Sequence, residues 1–416
     1  MRPTLKQYPI PSLTIIISLA LTLLTTSLHA QTLQNKAEWN VAGNGPHLIA
    51  HYMPWFAVTP ENQPSNKIWQ HWRWDDPAHR RDPNTKLDNG QRQISSVYYP
   101  AIGPYSSYDR SVIRYHIKTA QAIGVKAFVV IWYGPDTPDS DRIIPILLEE
   151  AENLDFKIAI CYEEKINWAP YRDPKSRSEI VKTATADLDY ILTNYGTHPA
   201  YLKRNNKPFV MQFNYWGEDD LGPRQILADE WQQIYTSLNN NLYFCRQNLD
   251  RPDLHGPLQS AFMWFKPNRD HWDQDFKHFS QTANNLKAQN KLDFFMTVIC
   301  PGFDTTNVWG WGGGPRVLER NGNDILEYTM SRASEGNPEL IQLMTWNDWE
   351  EATAIEPSRE FGFDYLDAIE KWWSNQTGRP VDLKDNRAPL QEFINNMTPQ
   401  QKAEFPKAEQ SKLLKN

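Results

Sequence analysis

Cysteine is scarce in this chain. Three occur among 416 residues, Cys161, Cys245 and Cys300, each inside an apolar, β-like run. An exported protein stapled by disulfides carries an even, closely spaced set. These thiols read instead as buried, unbridged small hydrophobes. Zinc chemistry lacks a ligand set, because there is no paired-cysteine spacing and no His-Glu-x-x-His. Asp136, Asp139 and Asp141 lie close together without the spacing of a calcium loop, so no metal site is expected. Nor is there a Gly-x-Ser-x-Gly elbow for a serine nucleophile, or a glycine-rich phosphate loop directly after a strand-like run. Positive charge is also in deficit: 43 Lys and Arg face 50 Asp and Glu, a net charge of −7. Nucleic-acid binding rewards a basic surface, so that function class is excluded and a neutral substrate is favoured.

One long apolar run exists, at the start. Leu13 to Leu28 is broken only by Ser and Thr, follows Arg2 and Lys6, and leads to Ala30 before Gln31. That is the layout of a cleaved secretory signal. The run is short for a membrane span, although an N-terminal anchor is the alternative. Residues 1–30 are therefore read as a leader, and the protein as secreted or periplasmic, with no membrane association after cleavage. The leader holds two basic residues and no acidic ones, so what remains is more acidic still.

Aromatic residues are abundant. There are 17 Trp and 18 Tyr, many in polar stretches rich in Gly and Pro rather than in periodic runs. Sugars present flat C–H faces ringed by hydroxyls, so their sites combine aromatic platforms with carboxylates and amides. Core filling is the competing explanation for any single Trp.

Eight apolar runs mark candidate strands at 48–53, 125–132, 157–162, 208–214, 241–246, 259–265, 294–300 and 340–346. Nearly all are continuous rather than alternating, as in parallel strands buried on both faces. Helical patterns at 109–123, 141–153, 176–194, 323–335 and 361–374 fall between or after them. The alternation predicts an α/β fold, a (β/α)8 TIM barrel with long strand-to-helix loops; an open doubly wound sheet is the alternative. The barrel is expected over 31–374, with 375–416 as a peripheral C-terminal extension. The first loop, Pro54 to about Ser107, carries Trp55, Trp69, Trp72 and Trp74 and is long enough to imply a functional role.

The segment 345–357 (TWNDWEEATAIEP) begins where the last strand ends. Asp348 and Glu351 are three residues apart, with Glu350 and Glu356 nearby. Glycoside cleavage commonly needs two carboxyl groups, one to protonate the departing oxygen and one as base or nucleophile. The same Asp-x-x-Glu spacing is also a capping pattern. Other strand ends add polar and aromatic groups: His51, Tyr52 and Trp55; Trp132 and Tyr133; Glu163; Asn214 and Tyr215; Phe303, Asp304 and Trp309; and Asn347. Together they describe an aromatic-lined cleft for an oligo- or polysaccharide.

These motifs resemble glycoside hydrolase families 71 and 99. The likeness runs over about 47–374 and rests on AHYMPWF at 50–56, the stretch YYPAIGPYSSYDRSVIRYHIKTAQAIGVKAFVVIWYG at 98–134, PGFDTTNVWGW at 301–311 and TWNDWEEATAIEP at 345–357. The resemblance implies endo cleavage of an α-linked glycan, of α-mannan or α-1,3-glucan type, without an obligatory cofactor. It makes Asp348 and Glu351 the catalytic pair, with Glu351 as acid and Asp348 as base, and it puts Tyr52, Trp132 and Glu163 at the sugar. The mannosidases of this group carry Glu where Asp348 stands, in a Trp-Asn-Glu-Trp-His-Glu pattern, whereas the α-1,3-glucanases carry Trp-Asn-Asp. Asp is one methylene shorter, which bears on a mechanism in which this carboxylate takes a proton from the sugar's 2-hydroxyl. A carbohydrate-binding protein on the same barrel, without catalysis, is the alternative; it would have lost the acid–base pair.

Overall fold

The computed structural model describes residues 47–58, 69–163, 176–213, 226–247, 259–264, 271–378 and 386–415, with a few isolated positions between 248 and 270. The leader and two expected sugar contacts, Asn214 and Tyr215, lie outside the described residues.

Eight parallel strands close into a barrel. They are β1 (His47–Tyr52), β2 (Val125–Trp132), β3 (Lys157–Glu163), β4 (Lys207–Phe213), β5 (Tyr243–Gln247), β6 (Ser260–Phe262), β7 (Phe294–Ile299) and β8 (Leu340–Leu343). Each pairs with the next, and β8 pairs back onto β1 in the register His47 with Leu340 to Ala50 with Leu343. That last pairing removes the open-sheet alternative. The strands read as continuous apolar runs because one face fills the barrel and the other meets helices.

The helices are α1 (Arg110–Ala122), α2 (Ile144–Asn153), α3 (Arg177–Asn194), α4 (Ala228–Ser237), α5 (Trp272–Ala288), α6 (Asp324–Ala333) and α7 (Asp364–Thr377). Their ends follow local chemistry. The Asp109 carboxylate accepts from Ser111 N–H, Ser176 caps α3 through Glu179 N–H, and Gly378 closes α7 at φ 70°. The expected helix at 141–153 divides into a short turn, Pro138–Asp141, and α2. Pro145 lacks an N–H and so suits the first turn of α2, not the interior of a longer helix. Between β5 and β6 no helix occurs among the described residues.

The C-terminal residues form three further helices, α8 (Ala388–Asn395), α9 (Pro399–Glu404) and α10 (Lys407–Lys415), seated on the barrel. Phe393 packs against Tyr115 of α1, and Leu390 and Phe405 are wholly buried. Glu404 accepts a bidentate pair from Arg92 at 2.9 and 2.6 Å. All three cysteines are buried and free. Among the described residues no helix is long and apolar enough to cross a membrane.

Candidate active site

A parallel barrel brings the C-terminal end of every strand to one mouth. The loop after β8 crosses that mouth and is fixed from several sides. Thr345 Oγ1 accepts from Asp348 N–H at 2.8 Å, and the Asp348 carbonyl accepts from Thr353 and Ala354 N–H. Arg320 donates Nη2 to the carbonyls of Ala352 and Ala354, both at 2.7 Å. Its guanidinium sits among Tyr98, Tyr365 and Phe361, 4.6, 4.7 and 5.2 Å from their centroids. From behind, Trp346 N–H donates to the His51 carbonyl at 2.7 Å.

This loop carries the paired carboxylates. Asp348 Oδ1 accepts from Glu351 N–H at 3.0 Å, so it does cap the local turn, which does not continue as a helix. Capping and proximity to Glu351 coexist in one geometry. Burial pushes the Asp348 carboxyl well above the usual carboxylate range; the Glu351 charge adds to this, and backbone N–H groups of Glu351 and Glu350 oppose it. Burial likewise pushes Glu351 up, to about 7, with the charges of Glu350 and Glu163 adding and Arg316 and the Trp311 indole opposing. Each of the pair therefore titrates under the influence of the other.

Two of the expected contacts, Glu163 and Asp304, lie next to Glu351. Glu163, at the end of β3, is buried and close enough to act on Glu351. Asp304 N–H donates to the Glu351 carbonyl at 2.9 Å, while its own carboxylate caps Thr306 N–H at 2.8 Å. Phe303 lies 5.1 Å beneath the Arg316 guanidinium. Trp55 and Tyr133 stand nearly parallel, 9° apart with centroids at 6.2 Å. Trp309 stacks on His79 at 3.6 Å. His51 points inside the barrel against Trp264 and Phe213; burial keeps its imidazole neutral by lowering its pKa to about 3.

Three expected sugar contacts lie elsewhere. Tyr52 is fully buried, and its hydroxyl meets His116 Nδ1 at 3.1 Å, toward α1. Trp132 is fully buried, donates to Asp141 at 2.9 Å and packs beside Tyr162 and Tyr190. Strand alternation explains both: these positions face the helices, not the barrel axis. Asn347 is also fully buried. Its oxygen accepts from Met53 N–H at 2.8 Å, and its amide donates to the Met53 carbonyl and Tyr105 hydroxyl. It ties the loops after β1 and β8 together; the described donors to Asp348 are backbone N–H groups instead.

Other residues at the mouth carry weak signals in the sequence. Arg316 follows Gly312–Gly314, and Trp311 is the second aromatic of a Trp-Gly-Trp run in left-handed backbone. Trp311 is 44% exposed and meets Trp74 edge to face. His71, beside Trp72 in the first long loop, binds Glu350 at 2.7 Å. Of the loop tryptophans, Trp72 is core: it is wholly buried and donates to the Tyr105 carbonyl.

Comparison with known proteins fits this geometry. A family model described as Glycosyl hydrolase family 99 matches residues 44–372. Mouse glycoprotein endo-alpha-1,2-mannosidase is 26% identical over 346 residues, covering 77% of this chain and 70% of the mouse protein. A human glycoprotein endo-alpha-1,2-mannosidase-like protein is 24% identical over 347 residues, 77% of this chain and 71% of its own length. Among solved structures, the GH99 endo-alpha-mannosidase from Bacteroides thetaiotaomicron superposes with a TM-score of 0.61 at 22% identity, covering 80% of this chain and 99% of that one. This last likeness speaks for the barrel.

Proposed function

We propose, from the premise that the chain belongs to glycosyl hydrolase family 99, that it is an exported, endo-acting enzyme cleaving α-mannosidic bonds within glycans. Glycoside hydrolysis follows from the family. The α-mannoside preference is supported by the activity for which the mouse relative is named and the likeness of the chain to it. Export is supported by the leader-like residues 1–30, and the expected mature N-terminus is Gln31.

The observation that carries the reading is the pairing of Asp348 with Glu351, two carboxyls raised by burial at the barrel mouth. In this reading Glu351 is the general acid. It keeps a proton near neutral pH and gives it to the departing oxygen, so the leaving sugar departs as a neutral alcohol. Asp348 is the base. Burial works against its anion; the backbone N–H groups of Glu351 and Glu350 favour it, and while Glu351 keeps its proton the neighbouring charge that would raise Asp348 further is absent. Trp55 and Tyr133 supply flat surfaces for the sugar beside them. Incubating the purified protein with α-mannan and α-1,3-glucan, followed by product sizing, tests the substrate. Internal fragments from α-mannan are expected; cleavage of α-1,3-glucan alone would replace this substrate by the other.

A further inference from the structure

Glu350 sits between the two carboxylates given chemical roles and has neither role itself. Its side chain is 2% exposed, and its Oε2 lies 2.7 Å from His71 Nδ1. At that distance the imidazole donates to the carboxylate whether or not its other nitrogen carries a proton. His71 belongs to the long loop after β1, so the contact bridges that loop to the one after β8. The imidazole is itself fixed. It stacks on Trp55 at 4.8 Å and 25° and meets Phe56 edge-on at 6.2 Å, while the His71 backbone carbonyl accepts from Ser95 Oγ at 2.5 Å. Its backbone is left-handed, φ 57°, a conformation that costs an ordinary L-residue energy.

We propose that Glu350, pinned by His71, is a positioning residue for cleavage: a carboxylate fixed in the same turn as Asp348 and Glu351 so that it faces that pair. The inference rests on the reading of those two residues as the cleavage pair. The groups around Glu351 are Asp348 and Glu350 from its own turn, Glu163 from the end of β3, the Cys300 thiol directly after β7, and Arg316 and Trp311 from the loop that follows. Arg316 and Trp311 favour the Glu351 anion, and Glu350 and Glu163 oppose it. Glu350 also acts on Asp348 in the same sense. A mobile carboxylate would turn to solvent and lose this influence; the His71 bond prevents that turn.

The test uses the full-length protein with 13C-labelled glutamate side chains, following the Glu351 carboxyl by NMR and assigning it by its loss in Glu351→Gln. Glu350→Gln is expected to lower the Glu351 midpoint by about one pH unit. The high-pH limb of kcat/KM on α-mannan should move with it, leaving KM at the optimum unchanged. His71→Asn keeps a donor near the Nδ1 position and suits left-handed backbone, so its titration should overlay the wild type. His71→Gly also suits that backbone but removes the donor. Without that donor the Glu350 carboxylate is free to turn away from the pair, so this variant should shift in the direction of Glu350→Gln, and it decides the matter if Glu350→Gln does not fold. Unchanged Glu351 midpoints in Glu350→Gln and His71→Gly would overturn the proposal, even if kcat fell, since lost packing alone lowers kcat without moving a titration. A wild type that cleaves no glycan would overturn the cleavage reading instead, and the NMR midpoints would still decide whether Glu350 sets the proton on the pair.

Discussion

Glu351 and Asp348 are separable by kinetics. Glu351→Gln is expected to reduce turnover on a natural glycan by on the order of 10²–10⁴-fold. It should lose far less on a substrate with an activated leaving group, which departs without a proton. Asp348→Asn should reduce both about equally. Full activity of Glu351→Gln on the natural glycan would move the acid role to Glu163 or Glu350. The same group has a stability signature. Glu351 holds its proton to about pH 7 in the fold and releases it near 4.5 as an ordinary carboxyl. Between these values the unfolded chain binds fewer protons, so stability falls as pH rises through that window. At pH 8, Glu351→Gln should therefore melt higher than wild type, by on the order of a few degrees. The difference should vanish below about pH 4.5. Equal melting temperatures at pH 8 would contradict the burial of this carboxyl. At this scale the sequence exposes chemistry better than orientation. Asp348, Glu351 and Glu163 carry their chemistry in their type and place. Tyr52 and Trp132 stand at strand ends too, and only the alternation of a strand whose exact register is unknown decides that they face the helices. His71 is legible in retrospect only as the polar member of a Trp-rich stretch, because its partner lies 279 residues away.

Among elements, the loop after β8 matters most, and Arg320 is its anchor. It is a buried cation whose Nη2 donates to two loop carbonyls and whose guanidinium lies in an aromatic box. Arg320→Leu leaves those carbonyls unpaired and removes the cation–π contacts, with an expected loss of roughly 2–4 kcal/mol in denaturant unfolding. Arg320→Lys should recover part of the stability but not the two-carbonyl geometry, so kcat should fall more than KM rises. A kcat unchanged in Arg320→Lys would show that the loop is fixed without it. Gly302, in a backbone that favours glycine at φ 144°, tells the same story. A Cβ there would come within 2.7 Å of Arg320 Cγ and 2.9 Å of the Leu318 carbonyl. The strands and five of the ten described helices were legible because their patterns are local: apolar runs for β1 to β8, and caps such as Asp109 and Ser176; α4 and α5 were not among the expected helices. The long first loop was legible as a loop. Its use of Trp72 as internal core was not, since the same residue type serves both surfaces and platforms.

The whole molecule is a barrel whose core continues into the C-terminal helices. Leu390, Phe393 and Phe405 are buried against it, and each such side chain contributes roughly 1.5–3 kcal/mol. Deleting residues from 379 onward should therefore give an insoluble protein or one melting at least about 10 °C lower; a truncated chain with the wild-type melting temperature would make the extension dispensable. The sequence showed this segment only as polar and rich in Lys and Glu, because its few apolar residues are spread over three short helices. The closed barrel, by contrast, was readable from the number and spacing of its strands. Internal cleavage of α-mannosidic bonds by Asp348 and Glu351 is the function proposed for this barrel. The most direct measurement is the size distribution of products from α-mannan treated with purified wild type and with Glu351→Gln. Oligosaccharides released from internal bonds are expected from the wild type and almost none from the variant. Equal release by both proteins, or no cleavage by the wild type, would contradict that function.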